Sequence, residues 1–167
     1  MTIPALRLDD LASPKFSPEV AEMFAGAAQF ADMLPLEVEA LKAAAIEQLG
    51  GSLTDFGPSE FVEPLSVLVR CLNSEAHLSG MGHVSVHTQL VGFLKNRLLL
   101  ADLLSRHPEI KDIEIKRPII IVGLPRTGTT HLLNVLSADD RLRSMPLWES
   151  YEPIPLAGED TDAAGVD

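Results

Sequence analysis

The stretch PIIIVGLPRTGTT, residues 118–130, decides the fold of this chain. It opens with four consecutive β-branched residues, Ile119–Val122, without polar alternation, which predicts a strand buried on both faces, as in a parallel sheet. Two glycines then bound a loop, and residues 129–136 have the apolar spacing of a helix. Strand, glycine-bounded loop and helix together predict the opening unit of an α/β nucleotide-binding fold.

The loop has the glycine spacing of a phosphate-binding loop. Gly123 and Gly128 follow the pattern G-x-x-x-x-G, which lets the backbone turn so that the following helix offers its positive N-terminus to an anion. A Walker A loop also needs Lys directly after the second glycine, to reach the β- and γ-phosphates. Thr129 occupies that position here, and the cation is Arg126 instead. The pattern therefore predicts an anion site and argues against an ATPase.

The run PRTGTT, residues 125–130, resembles the 5′-phosphosulfate loop of sulfotransferases: Pro, Lys or Arg, Ser or Thr, Gly, then two more Ser or Thr residues. These enzymes use 3′-phosphoadenosine 5′-phosphosulfate (PAPS) as co-substrate. Because Thr129 stands where the Walker A lysine would be, no metal is expected for this chain. The segments RHPEI at 106–110 and PLWE at 146–149 are similar to a bacterial branch with a helical N-terminal region. The resemblance covers residues 50–155, and it implies sulfuryl transfer from PAPS to a hydroxyl or amine of a small-molecule acceptor.

The resemblance also implies the roles of individual residues. Arg126 would hold the bridging and phosphate oxygens, because its planar fork can bond two oxygens at once. Backbone and hydroxyl donors of the loop would complete the PAPS site, which comprises Pro125, Arg126, Thr127, Gly128, Thr129 and Thr130. Glu149 is the candidate catalytic base, since an attacking hydroxyl must lose its proton and some bacterial relatives place a glutamate roughly twenty residues after the loop. The preceding Leu147–Trp148 pair is expected to reduce its hydration.

Four helices are expected before this unit. They are predicted to start at Ser17-Pro18, to run from after Pro35 to Leu49, to cover residues 59–78, and to cover residues 84–106 after an interruption by two glycines. The domain prediction is an extended arm (1–16), a helical N-terminal region (17–110), the start of an α/β PAPS-binding domain (111–155) and an acidic tail (156–167). The apolar stripe of residues 84–104 indicates core or a homo-oligomer interface.

Composition narrows the classes of function. The chain has 167 residues, 46% of them apolar, and a net charge of −11, which argues against binding nucleic acid. Residues 111–145 carry six Lys or Arg and four Asp or Glu, so they form a net-positive segment where an anion would be handled. A single cysteine, no secretory signal and no membrane-spanning run lead us to expect a cytoplasmic protein.

Several alternatives stay open at this point. One is a nucleotide kinase or NTPase with a degenerate Walker A loop, which magnesium dependence would distinguish. Another is a helical interaction module with a vestigial anion-binding loop. His83 and His87 lie four apart, as metal ligands do, but no third ligand is evident, and a partly exposed histidine pair is expected instead.

The sequence contains only one strand-like run, which bears on whether it comprises a whole sulfotransferase domain. A parallel strand needs neighbours on both edges and cover on both faces, and no second strand-like run follows Glu149. We therefore expect a truncated, inactive piece of a sulfotransferase, whose isoleucines at 119–121 would be left exposed. The residues that bind the 3′-phosphate and adenine of PAPS are expected to be missing.

Overall fold

A computed structural model describes residues 14–154 of the chain. The predicted acidic tail and all but the last three residues of the predicted arm lie outside the described residues. The described part contains six α-helices: α1 (Pro18–Ala31), α2 (Val38–Gln48), α3 (Val62–Ser74), α4 (Gly80–Arg106), α5 (Thr129–Ser137) and α6 (Leu147–Tyr151). Short 3₁₀ turns cover Ser59–Phe61 and Pro108–Asp112. These elements fall into two compact units, residues 14–43 with 60–91, and residues 44–59 with 92–154.

Helix α1 begins where the sequence predicts. Ser17 is its N-cap with extended backbone (φ −61°, ψ 156°), and the Ser17 hydroxyl accepts a hydrogen bond from the Val20 N–H at 3.5 Å. Pro18 occupies the first helical turn, where its missing N–H costs nothing. The predictions of α2, α3 and α5 are confirmed to within a few residues at their ends.

Helix α4 is longer than predicted, and the expected interruption at Gly80 and Gly82 is wrong. The Ser79 side chain accepts from the Gly82 N–H at 3.1 Å and the Ser79 carbonyl accepts from the His83 N–H at 2.8 Å, so Ser79 caps the helix. A Cβ at position 80 would lie 2.4 Å from the Ala28 Cα of α1. Glycine therefore serves close helix packing here and does not break the helix.

The apolar stripe of α4 is core. Leu90, Val91, Leu94 and Leu98 are all nearly inaccessible to solvent, with Leu98 at 0% exposure. These four residues of the stripe are therefore buried within the chain. A hydrogen bond also joins two segments of the first unit: Asn73 Nδ2, on α3, donates to the carbonyl of Leu36, just before α2, at 2.8 Å.

The predicted strand at 118–122 is not formed in the described part of the chain. Residues 118–124 belong to no helix or strand, and they follow an irregular segment from residue 113 onward. A strand requires a hydrogen-bonded neighbour, and none of the described residues pairs with this segment. The fold of the described residues is therefore helical, and the strand–loop–helix unit is present only as loop and helix.

The described helices also contain no candidate membrane span, since none has a sufficiently long and apolar stretch to cross a bilayer.

Candidate functional site

The loop before α5 is compact and closed by its own hydrogen bonds. The backbone N–H of Thr127 donates to the Leu124 carbonyl at 3.3 Å, and the Thr127 hydroxyl donates to the same oxygen at 2.6 Å. Gly123 lies directly against this turn: a Cβ there would come within 2.8 Å of both Thr127 Oγ1 and Thr129 Cγ2. Real Cβ atoms do not approach other atoms so closely, so the loop requires glycine at position 123.

Two residues of the loop have left-handed backbone. Gly128, with φ +94°, is the N-cap of α5, and its carbonyl accepts from the Leu132 N–H at 3.0 Å. Arg126 also has a positive φ, +68°, which costs a residue with a side chain about 1–2 kcal/mol. Glycine would adopt this conformation without that cost. An arginine held there is the kind of strained residue that points to a function.

The Arg126 side chain is available to a ligand. It is exposed, and it has no hydrogen bond or ion pair to any residue of the described range 14–154. Three other cations of the net-positive segment are already paired: Lys116 with Glu114 (3.2 Å), Arg141 with Asp139 (2.6 Å) and Arg143 with Glu149 (2.5 Å). The hydrogen bond from the Arg141 side chain is the main cause that lowers the pKa of the Asp139 carboxyl below its usual value. Arg126 can therefore meet an anion without first breaking an internal ion pair.

Further donors lie at the start of α5. The first amides of a helix have no acceptor within the helix, and they carry the positive end of its dipole. Within the described residues, the hydroxyls of Thr129 and Thr130 have no hydrogen-bond partner, with Thr129 half-buried and Thr130 exposed. Thr127 differs, because both of its donors are directed to Leu124. In this structure, Thr127 therefore supports the loop's shape, while Arg126, Thr129 and Thr130 present free donors.

Glu149 lies on α6 and forms an ion pair that the sequence did not reveal. Its Oε1 accepts from Arg143 Nη2 at 2.5 Å, and the Glu149 side chain is 25% exposed. Leu147 and Trp148 are 73% and 64% exposed, so the expected shielding of Glu149 by this pair is not seen. The only sequence signal for Arg143 was its place in the net-positive segment.

Two contacts fasten the α6 segment to α4 within the same unit. Asn96 Nδ2 donates to the Tyr151 carbonyl at 2.6 Å, and Lys95 Nζ lies 3.4 Å from Glu152 Oε1. No hydrogen bond or ion pair joins Glu149 to loop residues 123–130 in the described structure. The structure thus places the two predicted catalytic residues in one unit, with no hydrogen bond or ion pair between their side chains.

The histidine pair is not arranged as a metal site. His87 is buried, with 8% exposure, which corrects the expected partly exposed pair. His83 Nε2 lies 2.6 Å from the Leu34 carbonyl, so this nitrogen carries the proton and donates it. Among residues 14–154, no group of three or more His, Cys, Asp or Glu side chains is placed to hold a metal ion.

Known proteins share this loop and its surroundings. A model of the Sulfotransferase family matches residues 118–166. The chain is also similar to the crystal structure of sulfotransferase STF1 from Mycobacterium tuberculosis H37Rv, with 37% identity and a TM-score of 0.63. That match covers 69% of this chain and 32% of the mycobacterial chain, so this chain spans about a third of its structural relative. No curated protein matches the chain.

The family match includes the whole loop, helix α5 and Glu149, which are the parts that the sequence singled out. The family match and the structural match thus both show that this chain is similar to sulfotransferases, with a bacterial sulfotransferase as a structural relative.

Proposed function

We propose that this chain carries the 5′-phosphosulfate site of an enzyme that transfers a sulfuryl group from PAPS to a hydroxyl or amine of a small-molecule acceptor. The observation that carries the proposal is Arg126. Its backbone is held at φ +68°, its guanidinium has no partner among the described residues, and it stands two positions before the glycine that opens α5. A strained, unpaired arginine beside a helix N-terminus is suited to a doubly charged phosphate or a sulfate.

The donor set fits the 5′ end of PAPS. Arg126 supplies a planar pair of N–H donors, and the first amides of α5 add the positive end of the helix dipole. Thr129 and Thr130 contribute hydroxyls that have no internal partner in the described structure. Gly123 leaves space next to Thr127 and Thr129 that a side chain would fill. These are donors without competing acceptors, which is the arrangement that an anion-binding loop requires.

Glu149 is the proposed base. Arg143 bonds its Oε1, which leaves Oε2 without a hydrogen-bond partner in the described residues. Glu149 Oε2 would accept the proton that the acceptor hydroxyl loses as its oxygen bonds to sulfur. Arg126 would bind the phosphate oxygen that keeps the electron pair of the broken S–O bond. Arg143 would hold the carboxylate in one orientation during this step.

The family and the structural relative support sulfuryl transfer in general. PAPS as the donor and a small molecule as the acceptor are supported by the loop's resemblance to the 5′-phosphosulfate loop. The rival reaction is phosphoryl transfer from a nucleoside triphosphate, which would need the lysine that Thr129 replaces.

Nucleotide titration of the full 167-residue chain tests the proposal. We expect 3′-phosphoadenosine 5′-phosphate, the product nucleotide, to bind weakly and to shift the amide resonances of residues 126–130, with no change when EDTA is added. ATP bound more tightly than this nucleotide, and only with magnesium, would replace the proposal by the kinase alternative. Absence of binding by either nucleotide would favour a helical interaction module.

A further inference from the structure

Helix α6, which carries Glu149, is too short to hold its place by itself. It has five residues, whereas an isolated helix of fewer than about 12–15 residues is only marginally stable in water. Leu147, Trp148 and Tyr151 are 73%, 64% and 53% exposed, so apolar burial contributes little to its position. Polar contacts with other segments therefore fix this helix and the carboxylate on it.

The shortest contact between α4 and α6 comes from Asn96. Its side-chain Nδ2 donates to the Tyr151 carbonyl at 2.6 Å. Tyr151 is the last residue of α6, and the final carbonyls of a helix have no donor within the helix. Leu94 and Leu98, two residues before and after Asn96, are 3% and 0% exposed, so this part of α4 is anchored in the core. Asn96 thus caps α6 from a fixed position.

Lys95 adds a weaker contact beside it. Its Nζ lies 3.4 Å from Glu152 Oε1, and the Glu152 side chain is 74% exposed. Exposed ion pairs of this kind contribute little to stability, whereas the bond from Asn96 satisfies a carbonyl at the helix end. Of these two contacts, the bond from Asn96 is therefore the one that chiefly fixes α6.

Fixing α6 also fixes the direction of Glu149. This residue stands two positions before Tyr151 in the helix, and its Oε1 accepts from Arg143 Nη2 at 2.5 Å. We propose that Asn96 is a positioning residue for Glu149. Its bond to Tyr151 keeps α6 folded, so the helix and Arg143 together hold the second carboxylate oxygen in one direction for proton transfer. The proposal rests on the proposed function, with Glu149 as the base.

The alternative is that Asn96 only stabilises the chain. A double-mutant cycle separates the two roles: the effect of removing Asn96 disappears in a Glu149→Gln background if it acts through Glu149, and persists there if it acts on the structure as a whole. Gln89→Ala is the matched control, because Gln89 is an exposed amide on the same helix with no hydrogen bond to any residue between 14 and 154.

NMR of the full 167-residue chain tests the contact without activity. Asn96→Ala should speed amide exchange in the last turn of α6, residues 150–152, about two- to tenfold, because one hydrogen bond less lets the helix unwind more often. The side-chain nitrogen resonances of Arg143 should move toward their positions in Glu149→Gln, and Asn96→Ala should move them no further in that background. Gln89→Ala should change neither. Unchanged exchange or unchanged Arg143 resonances in Asn96→Ala would overturn the proposal.

In a complete transferase carrying this segment, Asn96→Ala should lower kcat about tenfold or more and leave KM for PAPS within about twofold, because the base is kept but misdirected. The pH-dependent limb of the rate should remain, and in the Glu149→Gln background Asn96→Ala should have no further effect. Equal losses in both backgrounds would overturn the proposal in favour of a structural role. A slow Glu149→Gln beside a normal Asn96→Ala would overturn the role of Asn96 alone, whereas a normal Glu149→Gln would overturn the base itself and the positioning role with it.

Discussion

Replacing Arg126 tests the site most directly, because the structure separates its two contributions, the guanidinium and the strained backbone. Arg126→Ala removes the guanidinium and keeps a side chain at φ +68°, while Arg126→Gly removes both the guanidinium and the strain. Hydrogen bonds from a charged donor are worth about 1.5–3 kcal/mol, which corresponds to about 10- to 150-fold in affinity. Arg126 is exposed, so solvent screening puts the expected loss for this chain near the lower end, about tenfold.

Calorimetric titration with 3′-phosphoadenosine 5′-phosphate measures this loss. Arg126→Gly should bind no worse than Arg126→Ala, because relief of about 1 kcal/mol of backbone strain favours the loop conformation. Arg126→Lys should lie between wild type and Arg126→Ala, since lysine keeps the charge but not the planar fork. Arg141→Ala is the control: it removes one positive charge from the same segment, but this arginine is already bonded to Asp139.

In a complete transferase carrying this loop, Arg126→Ala should also lower the rate of transfer at least about 100-fold, or roughly 3 kcal/mol. Affinity of Arg126→Ala within twofold of wild type would refute the assignment of Arg126. An equal loss of nucleotide affinity in Arg141→Ala would show that the affinity depends only on the net charge of the segment, and would refute a specific contact with Arg126.

Three further predictions concern the base, the pH dependence and the helix packing. In a complete transferase, Glu149→Gln should spare nucleotide binding and abolish the pH-dependent limb of the rate; weaker binding with normal chemistry would contradict the base role. Burial, and then the charge of His83, lower the pKa of His87 below 6.5, so the unfolded state takes up the proton more readily. The free energy of unfolding should therefore fall as the pH drops below about 6.5, and urea unfolding of His87→Gln should show a weaker fall. In Gly80→Ala, the added Cβ would lie 2.4 Å from the Ala28 Cα, so this variant should lower the free energy of unfolding by about 1–3 kcal/mol. In Gly92→Ala, the added Cβ meets nothing within 4 Å, so this variant should raise it by up to about 1 kcal/mol. Thermal unfolding measures both changes.

The sequence by itself determined those features that depend on neighbours along the chain. Ser17-Pro18 predicted the start of α1 because a cap and a fixed φ act within one turn. The loop was predicted from its glycines, and the structure adds their separate reasons: Gly128 has left-handed backbone, and a Cβ at position 123 would come within 2.8 Å of two threonine side chains. The resemblance to sulfotransferases rests on the same short stretch, and the family match includes it.

Only the tertiary structure decided features that depend on residues distant in sequence. Gly80 was predicted to interrupt a helix, because the sequence does not show that Ala28 packs against it. The ion pair of Arg143 with Glu149 and the bond from Asn96 to Tyr151 likewise join separate segments, and spacing alone does not reveal them. The strand at 118–122 was predicted from its β-branched residues, but local preference does not form a strand without a hydrogen-bonded neighbour. A helix satisfies its own backbone, and a strand needs another segment to do so, which is why the helices were predictable here and the strand was not.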